Sequence, residues 1–367
     1  MKKSALVGAI IVILIIVGIA AYSLYSNHKE EKVLRVLNYS EYISPKVLEQ
    51  FEKEYGIKVV LDEYEAAEEA WAKLKAGGAG YDVIITAHSY VGLAKKMGLL
   101  QPLNKSALTN LANLDPRVAS HPADPNQEYA IPYMWGTTGI AYVTTCVDDP
   151  PTTWKQFLDP NYLAKYQGKV ALLSEFSETI MGAMIALGYD PSDRNNWNDQ
   201  VMAQVEQLLK SIKPYLVGFY GASQYMPALE NGQICLAQAW SGDILVVQNT
   251  TDTVQFINPE DGALFWVDFI VIPRDAQHVK EAHEFINFLL RPDIAAENVK
   301  FVWYASGIRK DLLVTWAEQH NDTELLDIVN NPLVYPPSDT KLIPSPVLDE
   351  QMSSYVETVR LHVLGGG

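Results

Sequence analysis

Between Val33 and Ile85 the chain switches period four times, and this alternation restricts the fold more than any other feature. Val33-Leu34-Arg35-Val36-Leu37 reads as a strand and leads into the loop Asn38-Tyr39-Ser40-Glu41-Tyr42. Ser44 suits a helix N-cap and Pro45 a first helical residue. Val47, Leu48, Phe51 and Tyr55 then recur on one helical side until Gly56 stops the run. Ile57-Lys58-Val59-Val60-Leu61 is a second strand. An alanine-rich helix carrying Trp71 and Leu74 follows, and ends at the turn Gly77-Gly78-Ala79-Gly80. Tyr81-Asp82-Val83-Ile84-Ile85 is almost unbroken in apolar residues, as fits a strand covered on both faces. A β-α-β-α-β beginning predicts an α/β lobe around a mostly parallel sheet.

The middle of the chain keeps this style. Ile140–Val143, Val170–Leu173, Ile234–Ala239, Val254–Ile257 and Leu264–Ile272 read as strands, the last ended by Pro273. Helices are predicted over Glu178–Leu187, Val201–Ile212, Val279–Leu290 and Asp311–Gln319. Roughly 335 residues follow the N-terminal segment, more than one core holds comfortably, so two lobes are expected. No repeat and no low-complexity linker separates them, which implies lobes interwoven along the chain.

The N-terminus speaks to location. Lys2 and Lys3 precede an uncharged apolar run from Ala5 to Leu24, then the polar stretch Ser26-Asn27-His28-Lys29-Glu30. Residues 1–30 therefore read as an export signal or a signal anchor outside the fold. Gly18, Ala20 and Ala21 would permit cleavage, whereas the length suffices to span a bilayer and favours a retained membrane anchor. Without a nearby cysteine there is no lipid attachment point. The expected location is the periplasm or the outer face of the cell membrane.

A net charge of −16 repels phosphate backbones and argues against a nucleic-acid partner. It would steer small cations inward, although general solubility explains it equally well. Cys146 and Cys235 stand alone. In an oxidising compartment they could form one disulfide, or Cys235 could be a small buried residue within Ile234-Cys235-Leu236.

Signatures of catalysis are missing: no phosphate loop, no nucleophile elbow and no His-Glu-x-x-His. No metal site or cofactor is expected. His278 and His283 open a helix rich in charge and read as solvated. Glu175 and Glu178 are spaced to share a face where a strand turns into a helix. A helix N-terminus favours carboxylates in any case, so capping competes with a chemical role for this pair. Two strings set an indole beside a carboxylate: Trp240-Ser241-Gly242-Asp243 and Phe265-Trp266-Val267-Asp268. In a helical turn i and i+3 face one way, and in a strand i and i+2 do. Each pair could offer an aromatic face and a negative charge to an ammonium group. A core tryptophan beside a surface or capping aspartate gives the same string.

Taken with Asn38-Tyr39-Ser40-Glu41-Tyr42, Tyr55-Gly56-Ile57-Lys58-Val59-Val60, Asn113-Leu114-Asp115-Pro116, the long run Ile131-Pro132-Tyr133-Met134-Trp135-Gly136-Thr137-Thr138-Gly139-Ile140, Asn231-Gly232-Gln233-Ile234-Cys235 and Phe288-Leu289-Leu290-Arg291-Pro292-Asp293, these strings are specific. The chain resembles the periplasmic polyamine-binding proteins of ABC importers, the spermidine and putrescine receptors. The resemblance covers about Val33 to Pro337. It implies a two-lobed periplasmic binding protein fold (type II), each lobe a mostly parallel sheet flanked by helices. The expected lobes are residues 31–139 with 267–312, and 140–266 with 313–367. It also implies closure on a polyamine and delivery to an ABC transporter permease, with no enzymatic step.

Carried over by position, Tyr39, Ser40, Tyr42 and Ser89 match first-lobe contacts, and Glu178, Trp240, Trp266, Asp268 and Tyr304 match positions that hold the polyamine. Asp243 matches a carboxylate of the putrescine branch, whereas Glu175 matches an acid of the spermidine branch. The wording as a whole is closer to the putrescine branch. Tyr39 stands where the family usually has tryptophan, Ala87 replaces a serine used near the ligand, with His88 following it, and no counterpart of the spermidine branch's glutamine is found near Ser345. Rival readings are a receptor for another small solute, and a secreted carbohydrate hydrolase using Glu175 and Glu178.

Overall fold

The computed structural model describes residues 32–337 and 339–365. The N-terminal segment read as a signal or anchor lies outside them. Among the described residues no helix is long and apolar enough to cross a membrane.

The first strands form as the alternation predicts: β1 (Lys32–Tyr39), β2 (Ile57–Tyr64) and β3 (Val83–Ala87), joined through α1 (Pro45–Tyr55) and α2 (Ala67–Lys75). β1 runs parallel to both β2 and β3, the geometry that helical crossovers impose. Gly56 ends α1 at φ +64°, a left-handed cap. Ser44 occupies the N-cap position of α1, yet its side chain makes no cap; its hydroxyl turns to Glu297 and its amide donates to Asn298. α3 (His88–Lys96) follows β3 directly.

The centre of the sheet is made by two long strands. β4 (Ala130–Val143) is buried along nearly its whole length. The sequence reading expected a strand only from Ile140, because Pro132 and Gly136 argue against one. A bulge between Pro132 and Trp135 absorbs the proline, and the ladder resumes beyond it. Further on lie β5 (Val170–Leu173), α4 (Phe176–Ala186), α5 (Asp199–Ile212), β6 (Leu216–Tyr220), α6 (Ala222–Glu230), β7 (Leu236–Trp240), α7 (Ser241–Gln248), β8 (Val254–Ile257) and β9 (Ala263–Val271). The strand order is β2-β1-β3-β9-β4-β7-β5-β6, with β8 also beside β4. β4 and β9 are antiparallel to each other, and each is antiparallel to its outer neighbour. They divide two parallel halves, β2-β1-β3 and β7-β5-β6. The two-lobed α/β architecture thus uses strands that pass between its halves.

Helices α8 (Val279–Leu289) and α9 (Pro292–Val302) return to the first half, where α9 packs on α1. α10 (Lys310–His320) and α11 (Thr323–Asn330) pack on α9, while α12 (Glu350–Leu364) packs on α4 and α5 of the second half. Two short strands, β10 (Ala305–Ser306) and β11 (Leu342–Pro344), flank β4 and β9. The expectation of solvated histidines fails for His283. It is buried, accepts from the Asn104 amide and faces the Val279 carbonyl through Nδ1.

Cys146 and Cys235 form a disulfide with Cα atoms 5.7 Å apart, resolving the alternatives the sequence left open. It fastens the segment after β4 to the entry of β7. Closing a separation of 89 residues removes much entropy from the unfolded chain. The C146S/C235S double variant should unfold about 2–4 kcal/mol more easily in urea, and reductant should move the wild type, but not the variant, towards the same midpoint.

Candidate functional site

The C-terminal ends of the parallel strands from both halves face one cleft, the place where open α/β sheets bind ligands. β1 ends at Tyr39, which lies in register with Tyr64 at the end of β2. β3 ends at Ala87, paired with Asp268 on β9. From the other half, β7 ends at Trp240, and α4 follows β5 with Glu178 in its first turn. The enclosed space is about 490 Å³, including solvent at its mouth.

Its walls are aromatic. Tyr39 and Tyr64 have ring centroids 4.4 Å apart, Tyr42 meets Tyr304 edge-on at 5.5 Å, and Tyr304 meets Trp266 at 5.2 Å. Tyr39 and Trp240 approach to 6.3 Å from opposite halves. Two glycines make room for the Tyr304 ring. A Cβ on Gly242 would lie 2.7 Å from it, and one on Gly136 would lie 2.8 Å from the Trp266 ring and 3.0 Å from that of Tyr304.

Three carboxylates enter between these rings. The Tyr42 hydroxyl donates to Asp268 Oδ2 at 2.8 Å, and Tyr42 is itself held by Tyr133, whose hydroxyl donates to the Tyr42 carbonyl at 2.7 Å. Asp243, in the first turn of α7, accepts from the Tyr304 hydroxyl at 2.5 Å and from the Tyr225 hydroxyl. Glu178 Oε2 accepts from the Thr138 hydroxyl and from Trp240 Nε1 at 3.3 Å. Among the described residues no lysine, arginine or histidine lines the cavity.

Burial without a cation raises each acid. Glu178 is pushed to about 8 by desolvation, opposed by the Thr138 and Trp240 hydrogen bonds and reinforced by the charge of Asp268. Asp268 is pushed to about 7 by burial, with Tyr42 acting against it. Asp243 rises to about 6 by burial, held back by its two tyrosine partners. The site is thus short of positive charge.

Of the residues expected from the sequence, Tyr39, Ser40, Tyr42, Glu175, Glu178, Trp240, Asp243, Trp266, Asp268 and Tyr304 all border this one space. Ser89 does not. It is buried at the start of α3, and its carbonyl accepts from the Leu348 amide. Glu175 borders the space, but its oxygens already accept from the Ala67 amide at 2.5 Å and the Ser177 hydroxyl at 3.0 Å. His88 turns away, bridging Val267 and the Ser345 carbonyl, and burial holds it neutral with a pKa of about 3. The sequence reading missed Tyr64, Glu65 and Ala222 as lining residues. Tyr64 could have been found from its register with Tyr39; Glu65 looked like an ordinary surface acid at a strand end. No group of histidine, cysteine or acidic residues among those described could hold a metal ion.

Comparison with known proteins is in keeping with this geometry. Residues 46–315 match the family described as bacterial extracellular solute-binding protein. The chain is 34% identical over 329 residues to the putrescine-binding periplasmic protein PotF of Escherichia coli, covering 85% of each. It is 38% identical over 293 residues to the putrescine-binding periplasmic protein SpuD of Pseudomonas aeruginosa, covering 76% of this chain and 79% of that one. A solved chain assigned to a spermidine/putrescine ABC transporter of Listeria monocytogenes superposes with a TM-score of 0.81 at 28% identity, covering 91% of this chain and 99% of that one.

The raised acids fix the sign of a pH effect. Between their ordinary pKa values and the raised ones, the folded protein binds more protons than the unfolded chain, so stability falls with rising pH. Where the cleft is shut as in this structure, Glu178, Asp243 and Asp268 should make the ligand-free protein less stable as pH rises from about 4 to 8. The triple variant E178Q/D243N/D268N should flatten that slope in calorimetric scans.

Proposed function

The chain belongs to the bacterial extracellular solute-binding protein family, and on that footing we propose that its cleft receives a polyamine, putrescine or spermidine, outside the cytoplasm and hands it to an ABC transporter permease. The observation that carries this reading is the pairing of two buried carboxylates, Glu178 and Asp268, and the half-buried Asp243 with an aromatic enclosure that, among the described residues, has no lysine, arginine or histidine in its lining. A polyamine is a methylene chain with ammonium groups at fixed spacing. Tyrosine and tryptophan faces cover the chain and attract the cations, and the carboxylates neutralise them.

Asp268 and Glu178 act on one another electrostatically and together form the first ammonium site. Asp243, oriented by Tyr225 and Tyr304, forms the second. Tyr39, Ser40, Tyr42, Trp240 and Trp266 complete the walls. The lobes of this reading are residues 32–139 with 267–312, and 140–266 with the segment from 313 onward; α10 and α11 rest on α9 of the first. Closure would bend the strands that pass between the halves. The N-terminal segment would direct export and could retain the receptor at the membrane.

A hydrolase using Glu175 and Glu178 is disfavoured. Glu175 is turned towards Ala67 and Ser177, so the pair does not present two free carboxyl groups to a glycosidic bond. A receptor for an anionic or neutral solute would leave buried acids unpaired, at a cost of several kcal/mol.

Calorimetric titration tests this directly. Putrescine or spermidine should bind with a Kd of about a micromolar or tighter, and 1,4-butanediol should give no heat. No heat from either amine would refute the reading. E178Q and D268N should each weaken binding by about a hundredfold or more, since each leaves a buried ammonium short of a partner. Burial in the unliganded cleft pushes Glu178 to about 8 and Asp268 to about 7, so amine binding at pH 7 should release protons, chiefly from Glu178. The observed heat should therefore vary with the ionisation enthalpy of the buffer, and affinity should fall towards pH 5.

A further inference from the structure

Three helices begin at the junction of the two halves, and none has an N-cap side chain that serves it. α2 is preceded by Ala66, which has no acceptor. α4 is preceded by Glu175, whose carboxylate makes no local cap, and α6 is preceded by Gly221. Unfilled N-termini at a buried junction leave backbone donors without partners. Glu69 and Gln224 take the Ala66 and Gly221 amides locally; beyond these, one amide of α2 and one of α4 are taken by acids from the opposite half, and at α6 such an acid reaches a serine hydroxyl.

The exchange is reciprocal. Glu175, at the head of α4, takes the Ala67 amide of α2 at 2.5 Å. Glu68, in the first turn of α2, takes the Ser177 amide of α4 at 3.2 Å. One residue before α2, Glu65 accepts at Oε1 from Ser223 in the first turn of α6 at 2.6 Å and from Ser40 at 2.8 Å. Its other oxygen lies over Gly221, where any Cβ would collide with it. The turn Glu65-Ala66-Ala67-Glu68 is thus inserted between two helix N-termini of the other half.

We propose that Glu65, Glu68 and Glu175 are positioning residues that latch the halves over the ligand, Glu68 and Glu175 by capping helix N-termini across the cleft and Glu65 by accepting from the Ser223 hydroxyl, and that Glu175 serves closure instead of holding an ammonium. This rests on the receptor reading above. The Glu65–Ser223, Glu68–Ser177 and Glu175–Ala67 contacts join residues from different halves, so they exist only when the cleft is shut. In an open form the same acids return to water and the helix ends are hydrated. Helix dipoles favour the carboxylates in the shut form, while burial and the like charges of Glu68 and Glu175 oppose them. The balance is small, which leaves the ligand to decide it. The arrangement also leaves Asp243 as the second ammonium site.

The test separates association from dissociation. In stopped-flow fluorescence with putrescine and with spermidine, E68A and E175A should raise the dissociation rate about tenfold while changing association less than about threefold. Both amines should be affected alike. The two substitutions should be non-additive, because they act on one junction, and E175Q, which keeps an acceptor for Ala67, should recover part of the loss. Ligand-free melting temperatures should stay at the wild-type value. In X-ray scattering, E68A/E175A in saturating putrescine should have a larger radius of gyration than the wild type. A loss confined to spermidine in E175A, or unchanged dissociation in both variants, would overturn the latch. If neither amine binds the wild type, the receptor reading fails and takes the latch with it, an outcome distinct from unchanged dissociation in variants of a receptor that binds.

Discussion

Carboxylates removed from water without a cation to meet them are the constraint around which this molecule is arranged. Each has a fixed donor: tyrosine hydroxyls for Asp243 and Asp268, and a threonine hydroxyl with an indole N–H for Glu178. Neutral donors hold the acids in place without neutralising them. That distinction matters, because a lysine or arginine in the same position would satisfy the charge permanently and leave nothing for a cationic guest. Orientation comes from the protein, and the missing positive charge is left to come from outside.

The fold supplies the position, not the chemistry. β4 and β9 pass through the middle of the sheet and are read from both sides: Gly136 and Thr138 of β4 lie in register with Trp266 of β9 and Trp240 of β7. One strand pair thereby sets both indoles and, through Thr138, Glu178. Strand ends that converge on a cleft are common to many α/β receptors with unrelated ligands, so the architecture alone names no solute. The specific content lies in which side chains stand at those ends.

Much of this was legible in the sequence because it rests on short-range pattern. The alternation from Val33 to Ile85 gave β1, α1, β2, α2 and β3, and both Trp-Asp strings border one space, with Asp243 on a first helical turn and Asp268 on a strand. What stayed hidden depends on partners far along the chain. The first half of β4 carries Pro132 and Gly136, which read as loop until a bulge and a neighbouring ring account for them. His283 looked solvated because only its own helix was visible, whereas its partner, Asn104, comes from elsewhere. Ser89, carried over by resemblance, is buried at the start of α3 and is not among the residues bordering the space. Glu65 carried no local sign of its surroundings at all.

Glu175 shows why residue type at a matching position is weak evidence of role. Sequence puts it three residues from Glu178, and on that basis both acids belong to one ligand. In the fold the two diverge: Glu178 turns to Thr138 and Trp240 inside the aromatic enclosure, while Glu175 turns to a helix terminus of the other half. The divergence follows from what each helix start lacks. Ala66 has no side-chain acceptor for α2; Glu69 takes the Ala66 amide, and the next amide, that of Ala67, is taken by Glu175 from the other half. What an acid does is thus set by a helix start more than a hundred residues earlier in the chain, while Asp243 keeps its own pair of tyrosine donors.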